Sequence, residues 1–264
     1  MAKRCWLTWL PAEGDASDPG GAVTALSRVG LDVSGAPFLD DLEKAAWSEL
    51  GSMLAEDDRR PAIWLVAGNG ADFGVTSVRY GLSLAAAMAL GREGGPPVLA
   101  VLRLDGDPAG LDLPTLFGNA LRLDGRQAGW AAKVTAAAHR TPPDAPVDFH
   151  INVIGHPLIG TWLEVGPAPG AHWQGAMMGV SGDSAILHQA VGPRGQLPER
   201  TTLAYPSAGI KAEVAGETFT AASVHNAIGA DESYYVKLSG HPARIIVGSD
   251  AAAESPEVSV LTLA

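Results

Sequence analysis

The chain contains a single cysteine, Cys5, in 264 residues. That excludes an internal disulfide and any zinc cluster built from cysteines, and it suits the reducing conditions of the cytoplasm. Basic residues are scarce, 18 against 29 acidic, for a formal charge of −11. Nucleic-acid binding through counterion release needs a basic face, and the sequence supplies none. Long apolar runs are also missing. The longest, residues 85–90, falls far short of the roughly 20 needed to span a bilayer. The first ten residues hold a basic pair and two tryptophans but no extended apolar region, so they read as a strand and not as a secretion signal. Charged residues are only 18% of the chain and hydrophobic ones 47%, a balance that supports a sizeable core and not disorder. The expectation is a cytoplasmic protein without a membrane or nucleic-acid partner.

What is present is an alternation. Apolar runs at residues 4–10, 31–34, 61–67, 97–104 and 120–123 read as strands. Helical spacing separates them at residues 22–29, 39–55, 76–90 and 130–139, and Gly30 is placed to cap the first helix in the left-handed conformation. Leu42, Ala45, Ala46, Leu50 and Met53 mark the second helix. The runs at 61–67 and 97–104 lack polar alternation, as strands covered on both faces do. Strand and helix repeating through residues 1–140 imply a doubly wound α/β domain with a five-stranded parallel sheet, flavodoxin-like, because parallel crossovers need covering helices. An eight-unit barrel would be longer. Thr141-Pro-Pro-Asp-Ala-Pro146 predicts an extended linker over residues 141–146. Residues 147–264 then hold about eight short runs separated by Gly, Pro, Asn and Asp, the pattern of an antiparallel β-sandwich or barrel.

Several features could carry chemistry. Gly68-Asn-Gly-Ala-Asp-Phe-Gly74 follows a strand and opens a helix, where backbone N–H groups can cradle a phosphate. Its spacing is G-x-G-x-x-x-G and it follows the third strand, so a tight strand-to-helix turn is the simpler reading. Gly68, Asn69 and Gly70 are the nucleotide-contact candidates. Asp40, Asp41 and Glu43 read as acids at a helix start. Six of the seven histidines follow residue 149, yet none is paired at ligand spacing, and no metal site is expected. Trp162, Trp173, Tyr205, Tyr234 and Tyr235 suit either a two-sheet core or a binding rim. The polar, proline-bounded loop from Pro193 to Arg200 is the best recognition surface in the second half. Gly179-Val-Ser-Gly-Asp183 lacks the spacing of a nucleophile elbow, and Cys5 sits within a strand as a packing residue.

The order of these segments resembles a TIR domain. The resemblance rests on the first strand and its polar loop (Trp9 to Asp18), then Gly30-Leu-Asp-Val-Ser34 and Phe38-Leu-Asp-Asp-Leu-Glu43. It continues through Ser77-Val-Arg-Tyr-Gly-Leu-Ser-Leu84 and Pro96-Pro-Val-Leu-Ala-Val-Leu102. In TIR enzymes that cleave NAD, a glutamate on the helix of the Ser77 segment holds the nicotinamide ribose. Here no glutamate lies between Asp58 and Glu93, and the matching stretch offers Arg79, Tyr80, Gly81 and Ser83. A hydroxyl cannot match a carboxylate at a developing oxocarbenium charge. The resemblance therefore implies a non-catalytic signalling or adaptor protein. The TIR-like half assembles with itself or a protein partner, and the β-sandwich senses a ligand or partner. The layout resembles sensor-plus-effector proteins of bacterial conflict systems, and no cofactor is required. The alternative is an NAD glycohydrolase with an atypical carboxylate, Asp72 or Glu43, and Ser83 as a further catalytic candidate. NAD, or another small nucleotide, would then lie against Trp9, Pro11 and the Gly68–Gly70 turn, at the carboxyl ends of the strands. A third reading is a structural subunit that oligomerises through its sandwich.

Overall fold

The structure, a computed structural model, describes residues 2–10, 19–56, 60–91, 95–142, 144–249 and 257–264. Five strands form a parallel sheet: β1 (Lys3–Trp9), β2 (Leu31–Pro37), β3 (Ile63–Gly68), β4 (Val98–Arg103) and β5 (Leu121–Asp124). Their order is β2-β1-β3-β4-β5. The chain winds outward to β2 and then back across β1, so the topological switch lies between β1 and β3.

The sheet is covered on both faces, which explains the unbroken apolar strands. Ile63 and Leu65 join Cys5, Leu7, Leu26 and Val134 in one layer, the last two from helices α1 (Gly20–Arg28) and α4 (Trp130–Ala138). Trp64 and Val66 join the other layer, with helices α2 (Trp47–Ala55) and α3 (Thr76–Leu90). Cys5 is fully buried, and burial pushes its thiol up to about 12, so it packs and does not ionise at neutral pH. Gly30 has φ +88° after α1, the left-handed position its sequence context predicts.

One element differs from the sequence reading. Helix α2 begins only at Trp47, because residues 42–46 form turns. The connection from β4 to β5 has no α-helix. It holds two single 3-10 turns, Pro108–Gly110 and Thr115–Phe117. Pro108, Gly110 and Pro114 interrupt any longer helix there.

The second half is antiparallel. Nine strands follow: β6 (His150–His156), β7 (Gly160–Gly166), β8 (Trp173–Ser181), β9 (Ala185–Pro193), β10 (Ser207–Val214), β11 (Glu217–Ile228), β12 (Glu232–Ser239), β13 (Arg244–Gly248) and β14 (Val258–Thr262). They make a four-stranded sheet, β6-β7-β12-β9, and a five-stranded one, β10-β11-β8-β13-β14. Val153, Leu163, Tyr234 and Val236 of the first share an apolar core with Met178, Val180, Val224 and Ile245 of the second.

The two halves are joined through α3, ten of whose fifteen residues are buried. Its Ser83 hydroxyl donates to the Leu263 carbonyl at 2.6 Å, and Tyr80 meets the His241 ring edge-on at 5.2 Å. The Thr262 N–H donates to Thr115 Oγ1 at 2.8 Å. Trp47 of α2 lies directly on Gly155 of β6, where an added Cβ would come within 2.2 Å of the indole. Asn119 Nδ2 donates to the Asp144 carbonyl at 3.0 Å in the connecting segment. One apolar cluster consequently runs from α2 and α3 into the β core.

Candidate functional site

The strand order brings the ends of β1 and β3 together, where open sheets of this kind bind ligands. Leu10, 1% exposed, closes over this point: its N–H donates to the Ala67 carbonyl at 2.8 Å, and its side chain packs against Gly68. Trp9 is half-buried and packs with the α1 and α4 layer. Pro11 and the remainder of residues 11–18 lie outside the described residues.

The glycine turn is satisfied by its own chain. The Asn69 N–H donates to Asp72 Oδ2 at 2.7 Å, and the Gly70 N–H donates to Asp105 Oδ1 at 2.9 Å. Arg103 Nε donates to the same Asp105 oxygen at 2.7 Å, and Arg103 Nη1 to the Asp107 carbonyl at 2.9 Å. A Cβ on Gly70 would come within 2.6 Å of the Arg103 guanidinium, which is why glycine stands there. The Arg103 hydrogen bond holds the Asp105 carboxyl below the usual range. A phosphate at this turn would have to displace two carboxylates from the N–H groups that would bind it. The geometry is that of a braced strand-to-helix turn, not of a phosphate cradle.

The three catalytic candidates are not brought together. Asp72 caps the turn just described. Glu43 is exposed in the turn before α2, beside Asp41, which pairs with Lys44 at 2.8 Å. Ser83 is fully buried on α3, and its single proton is directed at the carbonyls of Leu263 and Arg79, at 2.6 and 2.9 Å. It ties the two halves together, and its proton is engaged within the chain.

A second constellation, in the β half, was not read from the sequence. Glu164 of β7 is fully buried on the outer face of the four-stranded sheet, beside Asn152 and Tyr235 in the pairing register. His150 Nε2 lies 3.1 Å from Glu164 Oε1, the Gly195 N–H donates to the same oxygen at 2.7 Å, and Asn152 Nδ2 donates to Oε2 at 2.8 Å. Burial alone would raise the Glu164 pKa, but the bonds from His150, Gly195 and Asn152 outweigh it and bring it to about 2. An ionised carboxylate only accepts, so His150 Nε2 carries the proton in this contact.

What buries Glu164 is the loop from Pro193 to Arg200. Besides Gly195, Arg194 donates from its N–H to the Asp231 carbonyl at 2.9 Å and from Nη2 to the Pro167 carbonyl at 2.7 Å. The Gln196 N–H donates to the Tyr235 hydroxyl at 3.2 Å, and that hydroxyl donates to the Pro193 carbonyl. The loop is thus held rigidly, and its Leu197 and Pro198 complete a groove of about 340 Å³ with Leu158, Ile159, Trp162 and Lys237. Trp162 stacks on His188, and Leu158 is 88% exposed. Of the five aromatics named from sequence, Tyr234 fills the inner core, Tyr235 anchors the loop, and Tyr205 stands 80% exposed beside His225. The sequence signal for Glu164 was faint: a lone acid in Thr-Trp-Leu-Glu-Val, opposite alternate polar residues His150 and Asn152. Comparisons of the chain with protein families, with curated proteins and with solved structures found no match.

Proposed function

We propose that the protein is a non-catalytic signalling or adaptor module. Its parallel-sheet half, flavodoxin-like and TIR-like, provides self-assembly or a partner contact, and its sandwich receives a ligand or protein partner. The observation that carries this reading is the rigid groove beside Trp162. A buried, triply bonded carboxylate holds a loop over a sheet face and leaves apolar side chains open to solvent. Pre-organised apolar surface of this kind favours association, because little entropy is lost on binding. The strand order and the two helical layers agree with the TIR-like part of the reading. The polar groups that a nucleotide would need at the Gly68–Gly70 turn are already bonded within the chain.

The test is to concentrate the full-length protein while following its mass by light scattering, and to incubate it at high concentration with NAD. The expected outcome is concentration-dependent assembly without release of nicotinamide. Release that vanishes in Asp72→Ala would establish the NAD-hydrolysing alternative instead. A protein that stays monomeric throughout would remove the support for assembly.

A further inference from the structure

We infer, building on the adaptor reading, that the groove beside Trp162 takes a short extended segment of a protein partner, with one aspartate or glutamate between apolar residues. Its floor is one row of the outer sheet face. Trp162 of β7 pairs with Lys237 of β12, and Lys237 with His188 of β9. Directly paired positions point to the same face. On one side stand Leu197 and Pro198, Pro198 packing on Gly192 in the loop that Glu164 holds. On the other stand Leu158 and Ile159 of the β6–β7 turn, 88% and 40% exposed.

Lys237 sets the polarity of the occupant. It is half-buried, and it is the one charged side chain among the described residues that line the groove. A Cβ on Gly160 would stand 3.2 Å from its Cε and 3.9 Å from its Nζ, which places the ammonium beside the apolar turn. Lys44, Arg79, Arg103, Arg126 and Arg244 each pair with a carboxylate, as suits a chain with 29 acids for 18 bases. Lys237 has no ion pair or hydrogen bond among the described residues. Glu164, one row away on β7, is already bonded to His150, Gly195 and Asn152. An ammonium beside apolar walls gains more from an anion than one in open water, because the local dielectric is lower. A carboxylate is therefore the group this groove lacks. The net charge of −11 repels a run of acids, so a single one fits.

Strand spacing sets the length. From β7 to β9 is two intervals of roughly 4.8 Å, about three residues of extended chain. Residues two apart in such a chain share a face, so an acid over Lys237 turns its neighbours at two positions either way toward Trp162 and the apolar rims. A lone small acid would leave those rims in water, whereas flanking apolar side chains cover them.

The experiment uses full-length protein and two peptides blocked at both ends, Leu-Ser-Glu-Ser-Leu and Leu-Ser-Gln-Ser-Leu. Tryptophan indole N–H resonances are followed by NMR, with the Trp162 signal assigned by its loss in Trp162→Phe. The glutamate peptide should shift that signal saturably and bind about tenfold more tightly than the glutamine peptide, the factor for one charge-assisted hydrogen bond. Lys237→Met keeps the stem and removes the charge, and should bring the two peptides to equal affinity. Leu158→Ser should weaken both about fivefold through lost apolar burial. The inference is overturned by absence of a saturable Trp162 shift, by equal affinities in the unaltered protein, or by a preference that survives Lys237→Met. It is also overturned if acetate competes as well as the glutamate peptide, which would make the occupant a small acid. A Trp162 signal that moves with protein concentration alone would make it a second copy of the chain. Light scattering on the same samples separates this inference from the assembly reading. A monomer that binds the glutamate peptide removes assembly and keeps the groove, and an assembled protein that ignores the peptide does the reverse.

Discussion

The two helical layers of the parallel sheet bear different loads. Helices α1 and α4 bury a single stripe against the strands and leave their outer faces in water, with Ala132, Lys133 and Ala136 of α4 exposed. Helix α3 has no such face over most of its length. The sheet packs on one side, and β6, His241 and Leu263 pack on the other. A helix hydrophobic all round is one that is covered all round. The difference shows that α3 is a structural core shared by both halves, and that a polar residue on it, such as Ser83, serves the contact between them.

Introducing a charge should separate the layers most strongly. Ala86→Asp on α3 should abolish folding or cost several kcal/mol, since an unpaired carboxylate would be buried. Ala136→Asp on α4 should stay within about 0.5 kcal/mol. Urea unfolding of the two variants measures both. Next in size is Trp47→Ala, which empties the contact on Gly155 and should cost about 3–5 kcal/mol.

Glu164 tests the β half alone. Its carboxyl is held below its unfolded value, so the stabilisation is complete above pH of about 4.5 and fades as pH falls toward about 2. Glu164→Gln should lose about 2–4 kcal/mol at neutral pH and flatten that acid limb, as seen by unfolding at a series of pH values. Ser83→Ala should cost about 1–2 kcal/mol, from the Leu263 carbonyl left without its donor. A loss well above that would mean the hydroxyl organises more of the interface than one bond. Smallest is Asp105→Asn at the glycine turn, an exposed pair with Arg103, which should shift stability by less than about 1 kcal/mol and in a salt-dependent way.

Much of the candidate site was legible only in outline. The glycine turn was found where the sequence placed it, because Gly and Asn after an apolar strand punctuate the chain locally. Whether its N–H groups were free was not legible, since Asp105 lies thirty-five residues beyond Gly70 and reaches it only across β3 and β4. The connection from β4 to β5 lacks an α-helix for a local reason that the sequence does show: Pro108, Gly110 and Pro114 limit it to single turns. Glu164 was hidden for the opposite reason. An acid on an outward position of a strand reads as solvent-exposed until a loop thirty residues later is known to cover it.

By itself the sequence determined the alternation of strand and helix, the change to antiparallel strands after the prolines, and the predominantly apolar character of residues 76–90. These follow from local periodicity and from turn chemistry, which neighbouring residues settle among themselves. The tertiary structure alone decided the strand order and the union of the two halves through α3. It also decided which buried polar groups are paired, and with what. Those depend on atoms far apart in the chain, and hydrogen bonds and packing act over a few ångströms of space, not over positions in sequence.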